Sequence, residues 1–209
     1  MLGLLALPLA ALAFASSIQP LPAPLKTDLN PTYWRAGCPV PLTELRLLTV
    51  THWGFDGDAH TGHLVVHKKA AAPLARVFKR LYELRFPIRH LSVADSYGPT
   101  GSRPTDGDIS GSFACRQAAA SPCSKATVKK NWSNHTYGLA IDLNPNENPY
   151  VGCGQTRNPA RIPYLDRTRI RPGMVTPAVV RAFRSIGWGW GGAWTGSTKD
   201  YMHFSWNGR

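Results

Sequence analysis

The sequence predicts a single α+β domain, and three observations lead to that class. The chain has 209 residues, 43% hydrophobic and 10% aromatic, which is typical of a globular domain with its own core. Helical and strand-like hydrophobic patterns are interspersed, without the regular alternation that a parallel sheet requires. The sequence contains neither an internal repeat nor a second core-forming region.

The N-terminal segment has the pattern of an export signal. Residues 1–15 are an uncharged apolar run with small residues at Ala13 and Ala15, the positions that precede a cleavage site. A membrane anchor is the alternative, but Pro8 and the short run argue against a span of about 20 residues. Residues 16–36 contain four prolines and are predicted to be an extended linker. Residues 37–209 are predicted to form the functional domain.

Hydrophobic spacing predicts two amphipathic helices, with short strands between them. Strands are predicted at 63–67 and at 139–143, where apolar residues alternate with others. Between them, a first helix is predicted with Pro73 in its first turn. Its apolar face consists of Leu74, Val77, Phe78, Leu81 and Leu84. A second helix is predicted between Thr176, as N-cap, and Gly187, as the stop.

The cysteines indicate disulfides. An even number of cysteines in a chain with an export signal suggests two bridges. They are Cys38, Cys115, Cys123 and Cys153. The short spacing favours a bridge between Cys115 and Cys123, which pairs Cys38 with Cys153, and two other pairings remain open. Metal binding by these thiols is disfavoured, because the sequence has no C-x-x-C pair.

The chain is strongly basic, with 24 Lys and Arg against 12 Asp and Glu and a formal net charge of +12. Such a charge concentrates anionic partners around a protein. The basic residues are scattered and no nucleic-acid-binding motif occurs, so nucleic acid is not an expected partner. For an exported protein, anionic cell-wall polymers are the expected partners, and solubility alone is the alternative.

The segment WSNHTYGLAIDLNP, residues 132–145, carries the first candidate site residues. Its alternation places Asp142 on the strand face opposite the apolar residues. Gly138 allows a turn that brings His135 back toward Asp142. An imidazole and a carboxylate together supply two metal ligands, and His203 in the C-terminal KDYMHFSW offers a third.

Three protein ligands leave one coordination position open, which is typical of catalytic rather than structural zinc. Asp200 precedes His203 by three positions and is the candidate general base, provided that a turn or bulge brings it to the same side. The alternative is that both His135 and His203 are hydrogen-bonded core histidines and that Asp142 caps a turn.

These residues resemble a known family. SNHTYGLAID followed by DYMHF is similar to the paired motifs of the VanY-type metallopeptidases, which include D-alanyl-D-alanine carboxypeptidases and L-alanyl-D-glutamate endopeptidases. The resemblance extends over roughly residues 50–206. It implies a Hedgehog/D,D-peptidase-like fold, a small antiparallel sheet with flanking helices.

The resemblance also implies roles for individual residues. It makes His135, Asp142 and His203 the ligands of one Zn²⁺ per chain and Asp200 the catalytic acid/base. It places Ser133 near the terminal carboxylate of the substrate.

The family uses an arginine to stabilise the oxyanion, usually from a Tyr-Arg pair. Here Tyr97 is followed by glycine. Arg116 is therefore assigned the oxyanion role, with Arg103 as the second candidate, and a surface position is the alternative for either arginine. Tyr97 is retained as a substrate contact. The run GWGWGGAW contains three tryptophans, of which Trp190 is assigned to the substrate cleft and core packing is the alternative.

The resulting hypothesis is a monomeric, secreted or cell-wall-associated zinc peptidase that cleaves peptidoglycan stem peptides, with D-alanyl-D-alanine carboxypeptidase favoured. The first alternative is an L-alanyl-D-glutamate endopeptidase, which needs a groove open at both ends. The second is a non-catalytic wall-binding module with structural zinc, and Asp200 argues against it. An extracellular signalling protein of Hedgehog-like architecture is a third alternative with little support.

Overall fold

The computed structural model describes residues 13–31, 33–93, 104–118, 131–156 and 158–209. Three α-helices lie in these residues: α1 (Ala23–Leu29), α2 (Lys68–Glu83) and α3 (Pro177–Arg184). The strands are β1 (Ser16–Pro20), β2 (Leu45–Trp53), β3 (Ala59–His67), β4 (His90–Leu91), β5 (Ile109–Ser110), β6 (Ala140–Asp142), β7 (Tyr150–Val151), β8 (Gly189–Trp190), β9 (Lys199–Asp200) and β10 (His203–Ser205). The described helices are too short or too polar to span a membrane.

The strands form small sheets that are mostly antiparallel. The longest sheet has the order β1-β2-β3, and a second has the order β6-β10-β8 with β10 in the centre. Strand β7 pairs with β9 in antiparallel orientation, whereas β4 and β5 form a short parallel pair. This mixture of helices and small antiparallel sheets agrees with the predicted α+β class. The Hedgehog/D,D-peptidase-like arrangement stays a prediction.

The main hydrophobic core lies between the two larger sheets and helices α2 and α3. Helix α2 packs against β2 and contacts α3. Its fully buried side chains include Leu74 and Phe78, and Phe183 of α3 stacks on Phe204 of β10 at a ring distance of 3.9 Å. This core holds β10, and with it His203, against the rest of the domain.

The two helices agree with the sequence prediction except at one end. Thr176 caps α3 as predicted, since its side chain accepts a hydrogen bond from the Val179 N–H. Helix α2 begins at Lys68, earlier than predicted, because the His67 side chain caps it by accepting from the Lys69 N–H. Pro73 therefore lies inside the helix rather than in its first turn.

The described part of the predicted extended linker, residues 16–31 and 33–36, is folded. It contains β1, which pairs with β2, and α1. Leu21, Leu25 and Leu29 are buried in a second core cluster that also includes Phe113. The prolines suggested an extended linker, but they are compatible with these elements. Pro22 precedes α1, and Pro24 lies in its first turn, where proline is tolerated. The cleavage site after Ala15 stays a prediction.

The disulfide pairing differs from the favoured prediction. Cys38 is bonded to Cys115, which ties the segment after α1 to the loop that precedes the 131–142 region. Cys153 is also in a disulfide, and Cys123 lies outside the described residues. The prediction relied on loop length alone, whereas the fold brings Cys38 and Cys115 together across 77 positions of sequence.

Candidate metal centre

A short 3₁₀ turn, Asn134–Tyr137, positions His135. Ser133 caps this turn, since its Oγ accepts a hydrogen bond from the His135 N–H at 3.3 Å. Gly138 ends the turn with φ of 62°, and a Cβ at this position would lie 2.5 Å from the His67 N atom. Glycine is therefore required both by the backbone conformation and by the close packing against the end of β3.

The sheet register positions the other two candidate ligands. Strands β6 and β10 are antiparallel neighbours, and Asp142 lies directly opposite His203. Side chains of directly opposed residues project from the same face of a sheet. The pair is thus brought together by backbone pairing across 61 positions of sequence.

The three side chains converge on one point and form what we call the His-Asp-His cluster, namely His135, Asp142 and His203. His135 Nε2 lies 3.2 Å from His203 Nδ1 and 3.3 Å from Asp142 Oδ2. His203 Nδ1 lies 3.0 Å from Asp142 Oδ1. One candidate ligand atom from each residue falls within 4.8 Å of the others. The histidine side chains are 6% and 8% exposed, so both rings are withdrawn from solvent.

The outer nitrogen of each ring is held by a main-chain oxygen. His135 Nδ1 lies 2.6 Å from the Ser112 carbonyl oxygen, and His203 Nε2 lies 3.1 Å from the Arg209 oxygen. Because a carbonyl oxygen can only accept, both outer nitrogens must donate. In the neutral rings, the lone pairs of His135 Nε2 and His203 Nδ1 therefore face each other and the Asp142 carboxylate. Such outer hydrogen bonds commonly orient metal-bound histidines.

The charges of the cluster are strongly coupled. Burial opposes ionisation of Asp142, but the two histidines outweigh it and hold the pKa of this carboxyl well below its usual range. Burial alone would lower the pKa of His203, yet the hydrogen bond and charge of Asp142 raise it above its usual value.

Asp200 lies beside the cluster with an unsatisfied oxygen. It ends β9, and the bend at Tyr201 and Met202 separates it from β10, as the predicted turn requires. Asp200 Oδ1 is buried and has no hydrogen-bond partner among the described residues. Burial raises the pKa of this carboxyl to about 7, and the Asp142 charge adds to the rise, while His203 and Arg116 oppose it. The group can therefore exchange a proton near neutral pH.

A cavity of about 840 Å³ opens over the cluster. Its lining includes all three cluster residues together with Asp200, Arg116, Ser133 and Trp194. A smaller cavity of about 200 Å³ lies against Arg116, His135 and Asp142 as well. The main chain of Arg116 is fixed to the His135 turn, because its carbonyl oxygen accepts from the Ser133 N–H at 3.1 Å. The structure thus gathers most of the predicted site residues around one cavity.

The tryptophan assignment needs correction. Trp190 is not among the residues that line the cavity: it packs against Phe204, and its Nε1 donates to the Tyr201 carbonyl oxygen at 2.8 Å. Trp194 lines the cavity instead, with its ring 6.0 Å from that of His203. The strand β8 turns Trp190 toward the core, and this orientation is not apparent from a run of alternating glycines and tryptophans. Tyr97 and Arg103 lie outside the described residues.

Sequence reasoning also missed the groups that support the cluster. The Ser112 and Arg209 oxygens are main-chain atoms. Any residue type supplies such an atom, so no sequence pattern identifies them. Trp206 lines the cavity as well, and it lies three positions after His203. Its position in KDYMHFSW, beside a predicted ligand, was a signal that could have identified it.

Comparison with known proteins agrees with this geometry. Residues 127–206 match the family model described as D-alanyl-D-alanine carboxypeptidase. The matched segment contains His135, Asp142, Asp200 and His203, and it begins after Arg116. The searches of curated proteins and of solved structures found no significant match. The family match confirms the resemblance to the VanY-type metallopeptidases over residues 127–206.

Proposed function

We propose that the protein is a secreted, zinc-dependent peptidase that hydrolyses peptidoglycan stem peptides, with D-alanyl-D-alanine carboxypeptidase as the favoured activity. The observation that carries this proposal is the convergence of two histidine lone pairs and a carboxylate beside Asp200, whose Oδ1 has no hydrogen-bond partner among the described residues. Such an arrangement of buried acceptors is unfavourable unless a cation lies among them. The family match supports the peptidase class and the substrate type.

The donor set fits zinc. Two imidazole nitrogens and one carboxylate are ligands that Zn²⁺ prefers, and three protein ligands are the number found in catalytic sites. His135, Asp142 and His203 would hold the ion. When bound, zinc supplies a Lewis acid that activates water and polarises the scissile carbonyl.

Asp200 acts as the general base and then as the general acid. Its carboxylate lines the cavity, where it accepts the proton of the attacking water and then delivers that proton to the amine of the leaving residue. Burial and the Asp142 charge raise the pKa of this carboxyl above its ordinary value, which strengthens it as a base. A bound cation would lower this pKa, since it stabilises the carboxylate.

Arg116 and Ser133 contact the substrate on either side of the reacting bond. Both line the main cavity, and the Arg116 charge reaches Asp200 strongly enough to influence the pKa of its carboxyl. A guanidinium in the cavity stabilises the negative charge that develops on the scissile carbonyl oxygen. Ser133 presents its hydroxyl beside His135, where it would bind the terminal carboxylate of the substrate. Tyr97 remains a proposed substrate contact.

The presence of two neighbouring cavities supports the endopeptidase alternative. They share Arg116, His135 and Asp142, so both offer space for substrate beside the cluster. An internal cut needs such space for the chain on both sides of the bond. The wall-binding module is a weaker alternative, because a purely structural metal site has no use for an additional carboxylate beside it whose buried Oδ1 has no partner among the described residues.

The test combines metal analysis with peptide hydrolysis. The purified protein is analysed for zinc and incubated with synthetic stem pentapeptides, and the products are identified by mass. Zinc at about one per chain, as a three-ligand site predicts, and release of a terminal D-alanine support the favoured activity. An internal cut between L-alanine and D-glutamate would assign the endopeptidase.

Two variants separate catalysis from folding. Asp200→Ala is expected to retain zinc and to lose hydrolysis, whereas Asp58→Ala, an exposed aspartate away from the cavity, keeps both. A protein that binds zinc but cuts no peptide would favour the binding module. A protein that binds no zinc would overturn the assignment of the cluster.

A further inference from the structure

Trp206 is an exposed aromatic ring at the edge of the cavity. Its exposed fraction is 53%, and the other exposed large hydrophobic residues in the described part of the chain are isoleucines. Ile18, Ile162 and Ile170 do not line the cavity, whereas Trp206 does. Exposed apolar surface beside a substrate cavity commonly contacts a ligand.

The indole is held in a fixed orientation by its edge. Its Nε1 donates to Asn134 Oδ1 at 3.1 Å, and the Trp206 main-chain N–H donates to the Leu139 carbonyl oxygen at 3.1 Å. The Asn134 amide nitrogen donates in turn to Asn207 Oδ1 at 2.7 Å and to the Arg209 oxygen. Because the ring is anchored through polar atoms at its edge, its exposed area remains available to a ligand at little entropic cost.

The surroundings of the ring are polar and match a sugar. The Asn134 amide is fully used by Trp206, Asn207 and the Arg209 oxygen, whereas Asn207, which also lines the cavity, uses one N–H of its amide on Asn134 and has a second that can meet a sugar hydroxyl. The face of an aromatic ring is electron-rich and attracts the polarised C–H groups on one face of a pyranose. A stem peptide of small and charged residues offers little that would cover an indole, whereas the sugar to which it is attached does.

The position of the ring is compatible with the length of the substrate. Trp206 follows His203 by three positions, so the two Cα atoms are at most roughly 10 Å apart. An extended peptide spans about 3.5 Å per residue, so up to four residues between the cut bond and the sugar span about 14 Å. A separation of up to roughly 10 Å between the two Cα atoms, together with the length of the indole side chain, is enough to cover about 14 Å.

We infer that Trp206 forms a sugar subsite, on which a pyranose ring of the glycan strand stacks while the attached stem peptide occupies the cavity. This inference rests on the proposed peptidase function. It means that the substrate is a glycan-linked stem peptide rather than the free peptide, and that the protein recognises both parts at once.

The test compares kcat/KM for two substrates: a free stem peptide, and the same peptide linked to its N-acetylglucosamine–N-acetylmuramic acid disaccharide. The quantity of interest is the ratio of kcat/KM for the linked substrate to kcat/KM for the free peptide. The wild type is expected to prefer the linked substrate by about tenfold, the scale of one stacked ring. Trp206→Ala should bring the ratio close to one, and Trp206→Tyr should keep most of the preference. Ile170→Ala, which removes an equally exposed apolar side chain outside the cavity, should leave the ratio unchanged.

A ratio that is the same in the wild type and in Trp206→Ala would overturn the inference, including the case in which both substrates lose activity alike. If the wild type cuts neither substrate, the proposed function fails, and the subsite is then tested by binding of the disaccharide alone. Quenching of tryptophan fluorescence by the disaccharide, lost in Trp206→Ala, would support the subsite, and the absence of quenching in the wild type would reject it.

Discussion

Two groups of buried ionisable side chains in this protein balance their charge in different ways. The His-Asp-His cluster directs two lone pairs and a carboxylate at one point, and Asp200 beside it has an unpartnered oxygen. The second group, which we call the Arg89 cluster, consists of Arg89, Asp108 and Glu147. There Arg89 Nε lies 3.1 Å from Asp108 Oδ2, and Arg89 Nη2 lies 3.2 Å from Glu147 Oε1.

The Arg89 cluster contains its own cation. It has two carboxylates for one guanidinium, and burial raises the pKa of Glu147 to about 7, with the nearby Asp108 adding to the rise. A proton on Glu147 therefore completes the neutralisation below that pH. The His-Asp-His cluster must obtain its cation from outside, as a proton or as a metal ion. This difference fits the metal-binding role that we propose for the His-Asp-His cluster, and for the Arg89 cluster we propose a stabilising role.

The strongest test of this contrast is Asp200→Asn. The amide preserves shape but cannot accept the proton, so kcat for stem-peptide hydrolysis should fall by about 10²–10⁴-fold. Urea unfolding should show no loss of stability, because the variant removes a buried carboxylate with an unpartnered oxygen. A variant that loses stability but retains kcat would reverse the roles assigned to the two regions.

Removal of the metal should affect stability through the His-Asp-His cluster alone. At free zinc about 1,000 times its Kd, binding stabilises the native state by about 4 kcal/mol, and chelation should remove this contribution. Thermal unfolding with zinc and with chelator measures the difference. In His203→Ala the two curves are expected to coincide, and in Arg80→Ala, a surface variant, they should differ as in the wild type. Equal zinc stabilisation in His203→Ala would show that the ion binds elsewhere.

Arg89→Ala should destabilise the fold without affecting zinc. It removes the cation from Asp108 and Glu147, whose side chains are 0% and 3% exposed. A fully buried pair costs about 3–5 kcal/mol to break, and because Arg89 is 36% exposed we expect about 2–3 kcal/mol. Urea denaturation measures this loss. Zinc content should remain that of the wild type, and its loss would mean that the two clusters are coupled.

The smallest expected effect is a pH dependence that arises from Glu147. Its folded pKa of about 7 lies above the ordinary value of 4.5, so the native state binds the proton more tightly than the unfolded chain. Stability from this group is therefore greatest at low pH and is lost as pH rises, by about 2 kcal/mol between about pH 5 and about pH 7. The difference between urea unfolding curves of the wild type and Glu147→Gln isolates this slope. A slope that persists in Glu147→Gln would assign it to another group.

Much of the site was predictable because its side chains are of types that bind metals or transfer protons. His135, Asp142, His203 and Asp200 were identified from motifs, and the structure brings them together around one cavity. The helices followed from apolar spacing and caps that act over a few residues. These features depend on local sequence, so they could be inferred before the fold was known.

The remaining features depend on distant contacts. The partner of Cys115 is set by how α1 packs, and the orientation of Trp190 is set by the pairing of β8 with β10. The Arg89 cluster joins positions 89, 108 and 147, which no spacing rule connects. Main-chain acceptors such as the Ser112 carbonyl have no residue-type signature. Sequence therefore indicated which side chains form the candidate site, but not which groups hold them.

The pairing of Asp142 with His203 across two strands has a consequence for the kinetics of folding. The ligands are separated by 61 positions, so the complete site exists only after β10 has docked on β6. Contacts of such large sequence separation are costly to close and form late in many small domains. Zinc would then add little to the rate of folding and would chiefly slow unfolding, so the ion would prolong the lifetime of the folded enzyme.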